Sequence, residues 1–348
     1  MDDEALVQSC IPLLVDWCRA VRRPLPWRLE PTPYHVWVSE IMLQQTRIEA
    51  VIPYYARFLG ALPDIEALAA VDEDALLKLW EGLGYYSRAR NLQKAARIVM
   101  ADCGGELPRE AAALRKLPGI GDYTAGAISS IAYGEPEPAV DGNVLRVMTR
   151  LLAHAADVML PRTRADMAAL LRAHYPRGEA AGLLTEGIME LGETVCLPNA
   201  APKCERCPLN TLCRACLRKE TERYPVRSPK KERRMEERTV LLLRCGDRYA
   251  VRKREGKGLL AGLWEFPSAP CTLDETGARE AVRALGGEAL SVEPCGEARH
   301  VFTHVEWHMR GWRVELKTVL QGFLWKTPEE IRADCPIPTA LRYYQKKL

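Results

Sequence analysis

A glycine turn, two acidic residues and a run of cysteines are where chemistry could reside in this sequence. The turn lies in Leu117-Pro-Gly-Ile-Gly-Asp-Tyr-Thr-Ala-Gly-Ala-Ile128. Gly119 and Gly121 permit a tight connection whose backbone N–H groups point outward, as a phosphate at a helix N-terminus requires. Asp141, in Ala139-Val-Asp-Gly-Asn-Val-Leu-Arg146, opens a further helix. Taken alone it reads as an N-cap. A carboxylate there stays ionised, and it could equally stabilise a cation or orient a water. Glu40 is a single acid inside an apolar helix, which taken alone reads more often as a solvated or paired residue; partial burial would raise its pKa toward neutrality. The cysteines Cys196, Cys204, Cys207 and Cys213 are separated by seven, two and five residues, a spacing open to zinc or to a [4Fe–4S] cluster. Cys216 is a possible substitute ligand, and Lys203, Arg206, Arg214 and Arg218 make the loop basic.

These groups need helices to hold them. From residue 5 to about 218 apolar residues recur at helical spacing, with Ile41, Ile48, Val51 and Ile52 read as one helix and Leu68, Val71, Leu76, Leu77 and Trp80 as others. Asp72 and Pro63-Asp64 read as helix starts. Residues 219–238 are almost purely charged and read as a linker. Beyond it come strand-like runs, Thr239–Leu243, Tyr249–Arg252 and Arg313–Lys317, with one helix near Asp274–Leu285. The expected domains are therefore 1–218, all-α, and 239–348, α+β, joined by 219–238.

Composition permits this. With 47% apolar and 27% charged residues the chain is of ordinary globular type, and its net charge of +3 allows a nucleic-acid partner without demanding one. The acidic start Met1-Asp2-Asp3-Glu4 lacks the basic region of an export signal, and no apolar run is long enough for a membrane span. The expectation is a cytoplasmic monomer without membrane attachment, with its twelve cysteines not serving as a disulfide scaffold.

Three blocks carry a family resemblance: Leu25-Pro-Trp-Arg28, Tyr34-His-Val-Trp-Val-Ser-Glu-Ile-Met-Leu-Gln-Gln-Thr-Arg47 and Trp80-Glu-Gly-Leu-Gly-Tyr-Tyr-Ser-Arg-Ala-Arg-Asn91. They resemble the MutY family of adenine DNA glycosylases, in the endonuclease III or helix-hairpin-helix superfamily. The cysteine loop resembles that superfamily's iron–sulfur loop, where six residues rather than seven separate the first pair. The resemblance implies an all-α helix-hairpin-helix glycosylase domain with a [4Fe–4S] cluster. It implies duplex DNA containing adenine opposite 8-oxoguanine or guanine as the partner. Glu40 is then the acid that protonates adenine, and Asp141 the group that stabilises the sugar cation. Tyr123 and Asn143 support them, Arg28 and Glu186 contact the flipped base, and Gln45 and Tyr85 fill the gap it leaves. Tyr86 reads as structural. Bifunctional relatives have a lysine where this chain has Tyr123, which implies hydrolysis without a Schiff base. Lys116, before the hairpin, reads as a surface residue.

The C-terminal part resembles the Nudix-like domain of the same family. Gly256-Lys-Gly-Leu-Leu-Ala-Gly-Leu-Trp-Glu-Phe-Pro267 resembles its entry, and His300-Val-Phe-Thr-His304 its loop for sensing 8-oxoguanine, through Phe302, Thr303 and His304. Arg283 and Ala284 stand where a Nudix hydrolase needs acids, which argues against pyrophosphatase activity. The rival readings are a pyrimidine-specific glycosylase of the same superfamily and a non-enzymatic iron–sulfur DNA-binding protein.

Overall fold

The computed structural model describes residues 1–229, 232–254 and 258–348. Gly256 and Lys257 of the Nudix-entry motif, and Lys230 and Lys231 of the expected linker, lie outside the described residues. Two compact units form. One comprises Met1–Ala70 and Asn91–Pro229, the other Val71–Arg90 and Lys230–Leu348. The second unit thus includes a piece of the helical region as well as the C-terminal part.

The first unit is helical. The helix Asp3–Val21 starts where Asp2 Oδ1 accepts the Ala5 N–H at 2.8 Å, and it buries Leu6, Val7, Cys10, Ile11, Leu14, Val15 and Cys18 at helical spacing. Against this stripe pack the helices Gly142–Leu152 and Glu179–Thr194, which contribute Val144, Val147, Leu151, Leu184, Ile188 and Leu191. Burying each such side chain contributes about 1.5–3 kcal/mol, so the core holds these helices firmly. Gly187 lets two helices approach closely, since a Cβ on it would lie 3.0 Å from Cys18 Cβ. Ile41 and Ile48 do not share a helix as expected. Pro33–Leu43 ends at Gln44, Gln45 adopts a left-handed φ of 60°, and a new helix runs Ile48–Ala61. Periodicity alone joined them because a seven-residue offset returns to nearly the same face of a continuous helix.

The second unit is an α+β fold. Its strands are β1 (Arg234–Cys245), β2 (Arg248–Lys253), β3 (Trp264–Glu265), β4 (Ser268–Ala269), β5 (Ala289–Val301), β6 (Val305–Leu316) and β7 (Leu324–Lys326). The order is β3-β2-β1-β6-β5, with β4 paired to β1 and β7 to β2; β1 and β6 are parallel and β5 and β6 antiparallel. The helix Glu275–Ala284, capped by Asp274, covers one face through Ala278 and Val282. β1 begins inside the segment read as a linker. Several of its charges are paired although the strand start is exposed: Arg234 and Arg238 flank Glu236, and Arg238 lies 4.0 Å from the centre of the Trp307 ring. No helix of the described residues is long and apolar enough to cross a membrane.

Candidate active site

Glu40 sits in the helix Pro33–Leu43, whose N-terminus is fixed by Thr32 accepting the His35 N–H at 3.2 Å. Trp37, Val38, Ile41 and Met42 anchor that helix in the interior, so Glu40 is only 5% exposed. It lines a cavity of about 510 Å³ together with Arg28, Tyr123, Asp141, Asn143 and Glu186. Six of the expected site residues therefore meet in one cavity, within the roughly 300–1,000 Å³ range of small-molecule sites.

Burial pushes the Glu40 carboxyl up to about 7. The Tyr123 hydroxyl opposes this by donating to Oε2 at 2.6 Å, and the Asp141 charge adds to the rise. Because Tyr123 occupies Oε2, Oε1 is the oxygen available to carry a transferable proton. Asp141 is the N-cap of Gly142–Leu152, with Oδ1 accepting the Val144 N–H at 2.8 Å and Oδ2 the Asn143 carboxamide at 2.9 Å. Burial raises its pKa, against the lowering from these donors, so the helix terminus alone does not set its charge.

Behind Asp141 the same helix carries two arginines that sequence reasoning missed. Arg146, 3% exposed, donates to Asn143 Oδ1 at 2.8 Å, to the Gly192 carbonyl at 2.7 Å and to the Cys196 carbonyl at 2.8 Å. Arg150 donates to Cys196 Sγ at 3.3 Å and to the Leu197 carbonyl at 2.9 Å. Their three- and seven-residue offsets from Asn143 put them on one helix face, a signal present in the sequence.

A second missed group is Glu190. It is 2% exposed and lies between Arg23, at 2.5 Å, and Arg28, at 2.8 Å. Glu186 pairs with Arg22 at 3.0 Å and stands 3.5 Å from Arg28. Four residues apart on one helix, Glu186 and Glu190 present both carboxylates to the arginines.

The expected DNA-contacting residues lie outside this cavity. Gly119 has φ 80°, and a Cβ there would lie 2.8 Å from Asn91 Cβ; Gly121 caps Asp122–Ala127 with open space around it. Lys116 is exposed. Tyr85 belongs to the other unit and is 46% exposed at a left-handed φ of 46°. Arg88 holds the carbonyls of Leu83 and Gly84 at 3.1 and 3.2 Å, while Tyr86 is buried, as its structural reading requires. The Tyr85 hydroxyl lies 3.0 Å from Thr303 Oγ1. Thr303 sits in the turn between β5 and β6, closed by Phe302 N–H donating to the Val305 carbonyl at 2.8 Å. Phe302 packs edge-on against Trp307, with ring centres 4.9 Å apart, and His304 is exposed. Tyr85, Phe302, Thr303 and His304 line one cavity of this unit.

Cys196, Cys204, Cys207 and Cys213 line a further cavity walled by Val147, Leu151, Leu191 and Leu209. Among the described residues no three metal-binding side chains converge as ligands of a single ion. The four thiols line one apolar-walled cavity and supply the donor set that an iron–sulfur cluster takes. The longer first loop closes through Lys203 N–H donating to the Val195 carbonyl at 2.9 Å. Of the basic residues expected to face outward, Lys203, Arg206 and Arg218 are exposed, whereas Arg214 turns inward to Asp3 at 2.5 Å.

A buried acid and a capping aspartate in one cleft, a glycine hairpin and a Nudix-like second unit define a helix-hairpin-helix base-excision protein. Residues 38–172 match the HhH-GPD superfamily of base excision DNA repair proteins, and residues 239–347 match a NUDIX domain. The adenine DNA glycosylase of Homo sapiens is 34% identical over 98% of this chain and 74% of its own length. That of Buchnera aphidicola is 29% identical, with 97% of each chain covered. A solved thermostable thymine-DNA glycosylase superposes with a TM-score of 0.55 at 27% identity, covering 62% of this chain and 98% of that one. Endonuclease III in a non-covalent DNA complex shares the fold, with a TM-score of 0.52 at 24% identity, over 63% of this chain and 99% of that one. The chain belongs to the adenine DNA glycosylase family.

Proposed function

We propose that the chain removes adenine from duplex DNA where it stands opposite 8-oxoguanine or guanine. The activity is that of an adenine DNA glycosylase, a base-excision hydrolase of N-glycosyl bonds. The observation that carries the mechanism is Glu40, buried, raised to about 7 and hydrogen-bonded by Tyr123 beside Asp141.

Adenine leaves readily only if it gains a proton, and N7 is the accessible site. Glu40 donates it, for which a pKa near the working pH is best suited. As the glycosidic bond breaks, positive charge develops on the sugar. Asp141, held by Val144 and Asn143, stabilises that charge, and a water then adds to the sugar carbon. Arg28 and Glu186 orient the base. Tyr123 is no amine nucleophile, so a covalent imine with the sugar is not part of the route.

Flipping the base costs a few kcal/mol of pairing and stacking. Gln45 and Tyr85 fill the gap. Both are non-glycine residues at left-handed φ, strain of the kind that collects at functional sites. Backbone N–H groups at Gly119 and Gly121 bind phosphate. The Tyr85–Thr303 contact supports a role for Phe302, Thr303 and His304 in reading 8-oxoguanine, because it joins the wedge to that loop within one unit.

Cys196, Cys204, Cys207 and Cys213 would hold a [4Fe–4S] cluster. With all its irons bound by protein it would order the loop that presents Lys203, Arg206 and Arg218 to phosphates.

Single-turnover assays on duplexes carrying adenine opposite 8-oxoguanine, adenine opposite guanine, and thymine opposite guanine test the substrate. Adenine release is expected, fastest opposite 8-oxoguanine; release of thymine but not adenine would overturn the reading. Glu40→Gln and Asp141→Asn should each abolish release while DNA binding persists.

A further inference from the structure

Another cavity of the helical unit, about 690 Å³, adjoins the catalytic one, since Tyr123 lines both. One of its walls is the helix Pro161–Arg172. Thr163, Met167 and Leu171 anchor that helix in the interior, and the same spacing turns Arg164, Ala168 and Arg172 toward the cavity. Three arginines line the space, and two acids face them. Glu137 pairs with Arg172 at 2.7 Å and stands 3.5 Å from Arg115, which is also 3.5 Å from Asp122. These four charges offset one another. Arg164 differs: among the described residues no carboxylate pairs with it, and it is exposed. Its Nη1 donates to the Val140 carbonyl at 2.7 Å, which fastens the residue just before Asp141. The remaining guanidinium donors have no protein acceptor among the described residues.

A sugar that reaches Asp141 carries a phosphate on either side, so one of them must come to rest near Val140. A guanidinium fork matches phosphate oxygens in charge and geometry. We propose that Arg164 binds a backbone phosphate beside the sugar of the extruded nucleotide while its Nη1 keeps the Val140 carbonyl. The inference deepens the glycosylase reading and rests on it for the place of that sugar. Arg164 is then a positioning residue: one side chain spans the seated phosphate and the backbone that presents Asp141. The exposed Met159 and Leu160 give the cavity an apolar rim, suited to the sugar faces between phosphates.

Salt titration of duplex binding by the full-length protein tests this, with a 2′-fluorinated target adenosine to slow cleavage. In Arg164→Met the slope of log affinity against log salt should shrink by about 1, the loss of one phosphate contact. Arg164→Lys keeps the charge and should keep the slope. Arg162→Gln removes a charge two residues away, on another side of the helix, and should also keep it. A second measurement starts from the wild type and needs no variant to reveal the contact. Each phosphate flanking the target adenosine is replaced in turn by an uncharged methylphosphonate. One replacement should weaken wild-type binding and leave Arg164→Met no weaker than before. An unchanged slope in Arg164→Met, an equal fall in Arg162→Gln, or methylphosphonate losses identical in both proteins would overturn the proposal. If the wild type releases no adenine from the unfluorinated duplex, the glycosylase reading falls, and this inference with it, whatever the slope.

Discussion

Arg146 and Asn143 meet in a 2.8 Å hydrogen bond, guanidinium to carboxamide oxygen, while Asn143 donates in turn to Asp141 at 2.9 Å. The same guanidinium also holds the carbonyls of Gly192 and Cys196. Aspartate, asparagine, arginine and the first cysteine of the metal loop are thus joined in a line. Arg146→Met keeps the length and loses every donor. Leaving buried carbonyls unsatisfied costs about 1–3 kcal/mol each, so a loss of about 3 kcal/mol in urea unfolding is expected. Base release should slow and iron content fall together, whereas a purely local packing role would leave iron content unchanged.

The Tyr123 hydroxyl lowers the pKa of Glu40 by bonding its carboxylate, against the larger upward effect of burial. In the proposed route Glu40 acts protonated, so base release should fall as pH rises through about 7. Asp141 acts ionised, which sets the acidic limb. In Tyr123→Phe the lowering bond is gone, and the alkaline limb should move to higher pH. A single-turnover rate profile against pH reads this directly. An alkaline limb left where it was would show that Glu40 is not the proton donor.

Glu190 is buried between two arginines, and truncation leaves Arg23 with Glu193 and Arg28 with Glu186 as their remaining carboxylate partners. Glu190→Ala should lower stability in chemical denaturation, by less than the full penalty of an unpaired buried charge because Glu193 and Glu186 remain. Glu190→Gln retains the volume and some acceptors, and it tests positioning rather than folding. Because Arg28 would be held less firmly against the base, saturating rates on adenine should drop more than duplex affinity does. Equal losses in both would assign Glu190 a structural role only.

Gly119 and Gly121 should respond differently to alanine. At Gly119 the added Cβ meets Asn91 Cβ at 2.8 Å in a left-handed backbone, so the hairpin itself is strained. Gly119→Ala should lower both the melting temperature and DNA affinity. At Gly121 the added Cβ meets nothing within 4 Å, and φ is −94°. Gly121→Ala should leave the melting temperature near wild type and weaken only DNA binding, measured by fluorescence anisotropy. Unchanged affinity in both variants would remove the hairpin from the interface.

Glu40, Tyr123, Asp141 and the cysteines were legible because each belongs to a short block of unusual residue types at fixed spacing. Arg146, Arg150 and Glu190 were not, although their offsets along their helices were present in the sequence. An arginine or glutamate on a helix is ordinarily solvated, and only the packing of Gly142–Leu152 and Glu179–Thr194 against the core buries these. β5 was missed for a different reason. Pro294 and Gly296 interrupt its alternation, and its pairing with β6 shifts register between Ala289 and Ser291 and between Pro294 and Gly296. β1 was read as starting too late because its opening residues are mostly charged; Glu236 pairs with Arg234 and Arg238 along the strand, and only the fold brings the Trp307 indole N–H to it at 3.0 Å.

Residues 71–90 belong to the same compact unit as residues 230–348, and this limits where the chain can be cut or recombined. A protease nick near residue 230 followed by separation would strip Tyr85 of Thr303 and Asp74 of Lys253, whose contacts are 3.0 and 2.6 Å. A chimera joined at that point would match one parent's wedge to the other's lesion-reading loop. The module proposed to read the lesion is therefore discontinuous in sequence, and a transplant that tests it must carry both segments.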